Sequence, residues 1–338
     1  MICKQLRESF FLGIFSCFSV CILSLTAAAL EINDNFSIDG FLDMSAGATI
    51  GEDDEGDTDI SAFAGYDQLE VDFKFNFGEL SAQADINAKD LAKSKDAVKL
   101  EKAFISYALS DMVSITTGRF LSCIGFEAAE PTDMFQYSYS TGIPYPGYQN
   151  GVALNISPSD MIGVYASVVS GVWDSSDTDL SNPGFEAQLS IMPIEGLTAK
   201  VGFAGDIIEE AHAEEAGKAH DHDHDEEETF MKSEINAWVM YTTGSITVAG
   251  EVDILSNWGA SGHGGLHFLG MANVGLTDEI AVTARFSGIQ MEDEDTLTSV
   301  TVSPSYAIND NWGALLEVKQ HLSEGGGTEI AVETIMTF

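Results

Sequence analysis

Between positions 67 and 88 the chain alternates with a period of two. Leu69, Val71, Phe73, Phe75 and Phe77 are apolar, and Gln68, Glu70, Asp72, Lys74 and Asn76 stand beside them. Gly78 and Glu79 interrupt the run, and Leu80, Ala82, Ala84, Ile86 and Ala88 resume the apolar phase. Such alternation predicts strands with one apolar and one polar face. A break this short permits only a tight turn, so the two strands pair as an antiparallel hairpin.

Much of the chain repeats this unit. Strand one is predicted over 36–50, followed by an acidic loop to Tyr66. The hairpin at 69–77 and 80–88 supplies strands two and three. Further alternating runs lie at 103–109, 113–120, 152–156, 162–168, 185–191, 197–203, 235–241, 246–254, 266–274, 280–286, 300–308, 312–318 and 330–338. Tight turns and longer connections alternate along the series. That is the order of an up-and-down membrane barrel, with short periplasmic turns and long external loops.

Period two alone does not separate such a barrel from a soluble sandwich, whose apolar face points inward. Three features do. Phe77, Tyr107, Tyr241, Tyr306, Trp312 and Phe338 sit in the apolar phase beside the short turns, as an interfacial girdle would. The hairpins run serially, without Greek-key spacing. The last alternating run ends on Phe338, similar to the assembly signal that bacterial outer-membrane proteins present to the barrel assembly machinery. The expected fold is all-β, a transmembrane up-and-down antiparallel β-barrel of about 16 strands in the bacterial outer membrane.

The N-terminus agrees with export. Lys4 and Arg7 precede an apolar run over 10–25, and Ala27-Ala28-Ala29 offers an A-x-A cleavage site. Residues 1–29 are therefore expected to be a cleaved signal peptide and 30–338 the barrel. No later stretch approaches the 18 apolar residues of a spanning helix. Three of the four cysteines lie in the leader, so Cys123 has no intrachain partner.

Charge then fixes the character of the polar face. The chain carries 54 acidic against 14 basic residues, a formal net charge of −40. With no basic footprint, nucleic acid is excluded as a partner. In a barrel this size the polar phase lines a water-filled channel. Asp39, Asp43, Glu70, Asp72, Lys74, Asp85, Lys102, Lys200, Lys232, Glu251, Asp253, Arg285, Glu317 and Lys319 fall in that phase and are the expected pore-lining residues. A charge on the lipid face costs about 2–4 kcal/mol at mid-depth, which explains the confinement. Arg119 shares the phase of Val113, Ile115 and Thr117, so a bulge at Gly118 is expected to re-aim it into the pore near the root of the long loop, a harmless position at the outer rim being the alternative. Acids outnumber bases in this phase, so the channel is expected to prefer cations.

Two connections carry candidate chemistry. The longest, 121–150, is rich in Tyr, Pro and Gly and holds Glu127, Glu130 and Asp133. Loops this long within a compact fold are usually functional. The other, 207–229, contains HAEEAGKAHDHDHDEEE, with His212, His220, His222 and His224 among carboxylates. Short His-rich tracts bind transition metals, and imidazole suits Zn, Cu and Ni. A solvated acidic loop is the alternative. No cofactor is required, and a divalent metal at this loop is the one candidate.

Residues 100–127 (LEKAFISYALSDMVSITTGRFLSCIGFE) and 149–157 (QNGVALNIS) resemble the outer-membrane β-barrel porins called OmpL-like. The resemblance rests on Gly118-Arg119-Phe120, Ile124-Gly125-Phe126-Glu127 and Gly151-Val152, and it covers only these segments. It implies a porin without specifying a solute. In general porins the third long connection folds into the barrel and narrows it. Here that would set Glu127, Glu130 and Asp133 against the wall cations as a constriction loop. An external loop packed over the rim by its tyrosines is the alternative.

The expected function is passive diffusion of small hydrophilic solutes or cations through an outer membrane. The alternatives are capture and entry of divalent metal of the zinc kind through the His-rich loop, and a non-conducting structural barrel. Outer-membrane enzymes are barrels too, but His263 and His267 near Ser261 lie in a Gly-rich loop, without a supporting nucleophile motif. An enzyme is therefore not expected. General porins are often homotrimers, but no trimer contact is legible in the sequence.

Overall fold

The computed structural model describes residues 29–52, 56–89, 97–173, 183–209, 229–258, 262–323 and 326–338. Residues 1–28 of the expected leader and His212, His220, His222 and His224 lie outside the described residues.

The elements are almost all strand: β1 Leu30–Asn33, β2 Phe36–Glu52, β3 Thr58–Phe77, β4 Leu80–Ala88, β5 Val98–Ser110, β6 Val113–Leu121, β7 Tyr148–Ser159, β8 Ile162–Val169 and β9 Gly184–Ile194. The second half continues with β10 Leu197–Glu209, β11 Thr229–Thr243, β12 Ile246–Trp258, β13 His263–Gly275, β14 Ile280–Met291, β15 Leu297–Asn309, β16 Trp312–His321 and β17 Thr328–Thr337. From β2 onward each strand pairs antiparallel with the next. β17 returns to β2, from Thr328↔Ile50 to Thr337↔Phe41, and closes a sixteen-stranded barrel. The short β1 pairs with the first residues of β2, Leu30 opposite Ile38.

Closure pairs the wall strands on both sides below the upper part of β3, as lipid demands of a spanning sheet. The two faces are inverted relative to a soluble protein. On β12, Val248, Val252 and Ile254 are 44%, 45% and 51% exposed, whereas Thr247, Glu251 and Asp253 are 1–3% exposed. Apolar side chains point outward and polar ones inward. Phe77, Tyr107, Tyr241, Tyr306, Trp312 and Phe338 are all exposed on the outer face.

One rim carries the tight turns. Gly78, Gly196 and Gly244 adopt positive φ at three of them, a conformation that side chains resist. The third long connection, 122–147, leaves the opposite rim.

β3 departs from expectation. It starts at Thr58, so 58–66 is strand rather than loop, paired with β2 up to Tyr66↔Met44. The pairing of β4 with β3 begins only at Leu69, so the upper part of β3 has β2 as its single partner. Thr58 to Gly65 are exposed whichever way they point. With neither face buried, nothing selects for strong alternation there.

Candidate functional site

The site is the barrel lumen and the segment that crosses it. The segment starts where β6 leaves the wall at Leu121 and is closed at its neck by Ser122 N donating to Gly147 O at 2.8 Å. Phe120 and Ile124 pack with Ala153, Val169, Val172 and Ala204 in an apolar patch inside the wall. Gly202 makes room for this patch, since a Cβ there would lie 2.6 Å from Ile124 Cδ1. Midway, Pro131–Asp133 forms a single 3₁₀ turn with Pro131 opening it.

Polar contacts then tie the loop to the inner wall. Ser122 Oγ donates to Glu186 on β9 at 2.5 Å, and Gln188 donates to the carbonyl of Cys123. The Phe126 amide donates to Glu251 Oε1 on β12 at 2.7 Å, and its ring meets Trp238 edge-on at 5.6 Å. Gln136 donates to Ser303 on β15 at 3.1 Å. Tyr137 shares a hydrogen bond with Ser45 on β2 at 3.2 Å. Ser138 N donates to Glu317 on β16 at 3.2 Å, and Thr141 N donates to Ser287 on β14 at 3.1 Å. Gly142, at φ +73, lies where a Cβ would come 2.3 Å from Ile289 Cγ2. The loop is folded into the barrel rather than packed over its rim.

The loop acids do not stand opposite the wall cations; two of them are joined to those cations. Glu127 is paired with Arg285 on β14, and its other oxygen accepts from Ser140 N at 2.7 Å. Arg285 also donates to the carbonyls of Ser138 and Tyr139, each at 2.8 Å. Glu130 accepts from Lys102 Nζ at 2.9 Å and from the Tyr148 hydroxyl at 2.5 Å. Lys102 reaches Asp85 at 2.8 Å on its other side. Asp133 is exposed to the lumen. Its carboxyl is raised above the usual aspartate value by the enclosure around it and then by Glu130. Burial, with Glu127 and Glu130 adding, pushes the Tyr139 phenol up to about 12.

Other candidate residues sort by height in the barrel. Lys74 pairs with Asp39 at 2.7 Å and approaches Asp72 at 3.7 Å near the short-turn rim. Glu70 is buried and accepts from Gln68 at 2.8 Å, and Asp43 is buried on the same wall. Lys319 donates to Tyr139 O at 3.2 Å. Lys200 lies 5.1 Å from the Trp238 ring centre. Towards the long-loop rim Lys232 sits between Trp173 and Trp258, at 4.7 and 4.0 Å.

Arg119 is half-buried and pairs with Ala103 and Asn150, with the register unbroken through Gly118 on both sides. The bulge that would have re-aimed it is absent from this pairing. Gly118 instead uses its φ of +124 to pass close to the carbonyl of Ala103.

Sequence reasoning missed the role of His267 in the wall. It is fully buried on β13, opposite Asp253, and its Nδ1 lies 2.6 Å from that carboxylate. Asn236 completes the row, donating to Glu251 at 2.8 Å and Asp253 at 2.5 Å. The signal was present: His267 shares the inward phase of β13 with Leu269 and Met271, which are also buried.

A closed sixteen-stranded barrel with an acidic lumen and an inward-folded third loop defines the porin class. The chain belongs to the family described as "putative beta-barrel porin-2, OmpL-like", whose model matches residues 56–325. No curated protein matches the chain in sequence. Among solved structures it is similar to the outer-membrane channel DcaP of Acinetobacter baumannii (11% identity, TM-score 0.68), covering 92% of this chain and 100% of that one. Salmonella typhi OmpF, in complex with daunomycin, gives 12% identity and a TM-score of 0.68 with the same coverage. An anion-selective porin from Comamonas acidovorans gives 10% identity and 0.62, covering 90% of this chain and 99% of that one. The protein is thus a channel for small solutes in the bacterial outer membrane.

Proposed function

We propose that the channel passes small hydrophilic solutes passively and favours cations. One observation carries this reading: the lumen's basic groups are largely engaged. Lys74, Lys102 and Arg285 are each held by carboxylates. Lys232 is boxed by two indoles. Asp133 and the excess acids of the wall have no such cations to spare and set a negative potential in a low-dielectric tube. A similar barrel is described as anion-selective, so the fold alone does not fix the sign, and the reading rests on the lining charge. The lumen is read as a path for diffusion rather than a catalytic cleft, in keeping with the family.

Liposome swelling tests the reading. Proteoliposomes are mixed with a cationic, a neutral or an anionic amino acid of similar size. Swelling should be fastest with the cation and slowest with the anion. Swelling no faster than in protein-free vesicles would leave a plugged, structural barrel. Faster entry of the anion would reverse the proposed sign.

A further inference from the structure

We propose that Glu251, Asp253 and His267, with Asn236 and Glu234 beside them, form a binding site for one divalent transition-metal ion of the zinc kind. The site lies in the lumen wall, behind the inward loop. It is separate from the His-rich connection between β10 and β11.

Register brings these residues together. Asn236, Asp253 and His267 lie in one row across β11, β12 and β13. Glu251 stands two residues from Asp253 on the same face, and Glu234 two residues from Asn236. Inward neighbours on adjacent strands stand about 5 Å apart. One donor atom each from Glu251, Asp253 and His267 fall within 4.8 Å of one another. An imidazole with two carboxylates is the donor set of zinc-like ions, whereas calcium and magnesium prefer oxygen alone.

Two deficits point to a cation. The first is charge. Among the described residues no lysine or arginine lies within ion-pair distance of Glu234, Glu251 or Asp253, and the His267 imidazole is the basic group paired with Asp253. Across the lumen the all-oxygen cluster of Glu70, Asp72 and Asp85 differs, because Lys102 already holds Asp85 at 2.8 Å. The second deficit is hydrogen bonding. Glu251 Oε2, Glu234 Oε2 and Asn236 Oδ1 have no partner, in side chains that are 3%, 1% and 0% exposed. Buried acceptors left unsatisfied are costly and uncommon. A dication at their centre relieves both deficits.

The surroundings also orient the donors. Phe126 N occupies Glu251 Oε1 at 2.7 Å, which leaves Oε2 for a ligand. Ser140 Oγ holds His267 Nε2 at 3.0 Å, so Nδ1 faces Asp253 and the cluster. Such a hydrogen bond to the second ring nitrogen is what fixes a metal-binding histidine. Coordination through Nδ1 needs the neutral tautomer with its proton on Nε2, where Ser140 Oγ can accept it, so the ion takes the place of the Nδ1–Asp253 hydrogen bond. Phe126 and Ser140 both belong to the inward loop, so an ion here also binds that loop to β12 and β13.

The experiment uses the full mature chain, refolded in detergent, with His212, His220, His222 and His224 all changed to Asn to remove the competing donors. Folding is checked by heat-modifiable mobility. Zinc content after gel filtration gives the stoichiometry, and Co²⁺ titration followed in the visible gives the coordination. One equivalent is expected, with the Co²⁺ spectrum of a nitrogen and oxygen donor set. His267→Asn and Glu251→Gln should each weaken binding at least about tenfold. No stoichiometric binding in the folded parent overturns the proposal, since the carboxyls would then be satisfied by protons alone. Equal binding by both folded variants overturns it too.

Discussion

Arg285 on β14 and Glu127 in the inward loop form a buried ion pair across 158 residues of sequence. Arg285 is 3% exposed and also holds two loop carbonyls, so one wall side chain fixes two passes of the loop. The inward loop is bonded to the wall, not merely resting against it.

Removing Arg285 should release the loop. Arg285→Ala leaves Glu127 buried without its partner, a loss of about 3–5 kcal/mol for such pairs. The thermal unfolding midpoint should fall, and single-channel conductance should rise with more frequent closures. Double substitution with Glu127→Gln should recover part of the stability. An Arg285→Ala channel with unchanged conductance and midpoint would show that the pair does not hold the loop.

The root of the loop depends on a missing side chain. Any Cβ at Gly202 meets Ile124 Cδ1 at 2.6 Å. Gly202→Ala should be accommodated by a turn of Ile124, whereas Gly202→Val should cost about 1–3 kcal/mol through overpacking. Unfolding midpoints of the two variants check the order. Equal midpoints would mean that Ile124 does not pack there.

Acidification should weaken cation preference. Asp133 is an acid exposed in the lumen, with a carboxyl raised by its enclosure and by Glu130. As pH falls through that raised value the charge is lost, earlier than an ordinary aspartate would lose it. The cation-to-anion permeability ratio should therefore drop on acidification, beginning above the usual aspartate range. Asp133→Asn should lower the ratio at neutral pH and flatten that part of the pH profile. Reversal potentials measured across a pH series decide this.

At the long-loop rim Lys232 links Trp173 to Trp258, whose rings lie 5.0 Å apart at 74°. Trp173 Nε1 also donates to Pro144 O, which joins this box to the inward loop. Lys232→Met should remove about 0.5–2 kcal/mol of cation–π attraction. Near-ultraviolet circular dichroism should lose part of the coupled-indole signal, with the barrel's far-ultraviolet spectrum retained. An unchanged near-ultraviolet signal would show that the lysine does not order the two rings.

The wall was legible because lipid outside and water inside impose a strict period of two, which the runs at 69–77 and 246–254 display without tertiary help. The start of β3 was not, since Thr58 to Gly65 face no buried surface. Arg119 was expected in the pore by way of a bulge, but the register runs unbroken past it on both sides. The bulge inferred at Gly118 failed because that glycine serves a close approach to Ala103 instead. The inward path of the loop was one of two alternatives and came from general porins rather than from a local pattern, and its partners were not legible. Pairing Glu127 with Arg285, or Asp253 with His267, requires the register across connections whose geometry no local pattern specifies.

The central claim is an open, acidic lumen, and single-channel recording tests it most directly. The refolded protein, residues 30–338, is inserted in a planar bilayer under a KCl gradient. Discrete open steps with a reversal potential of cation-selective sign are the expected result. A correctly folded barrel that never conducts, or one whose reversal potential has the anion-selective sign, would contradict it.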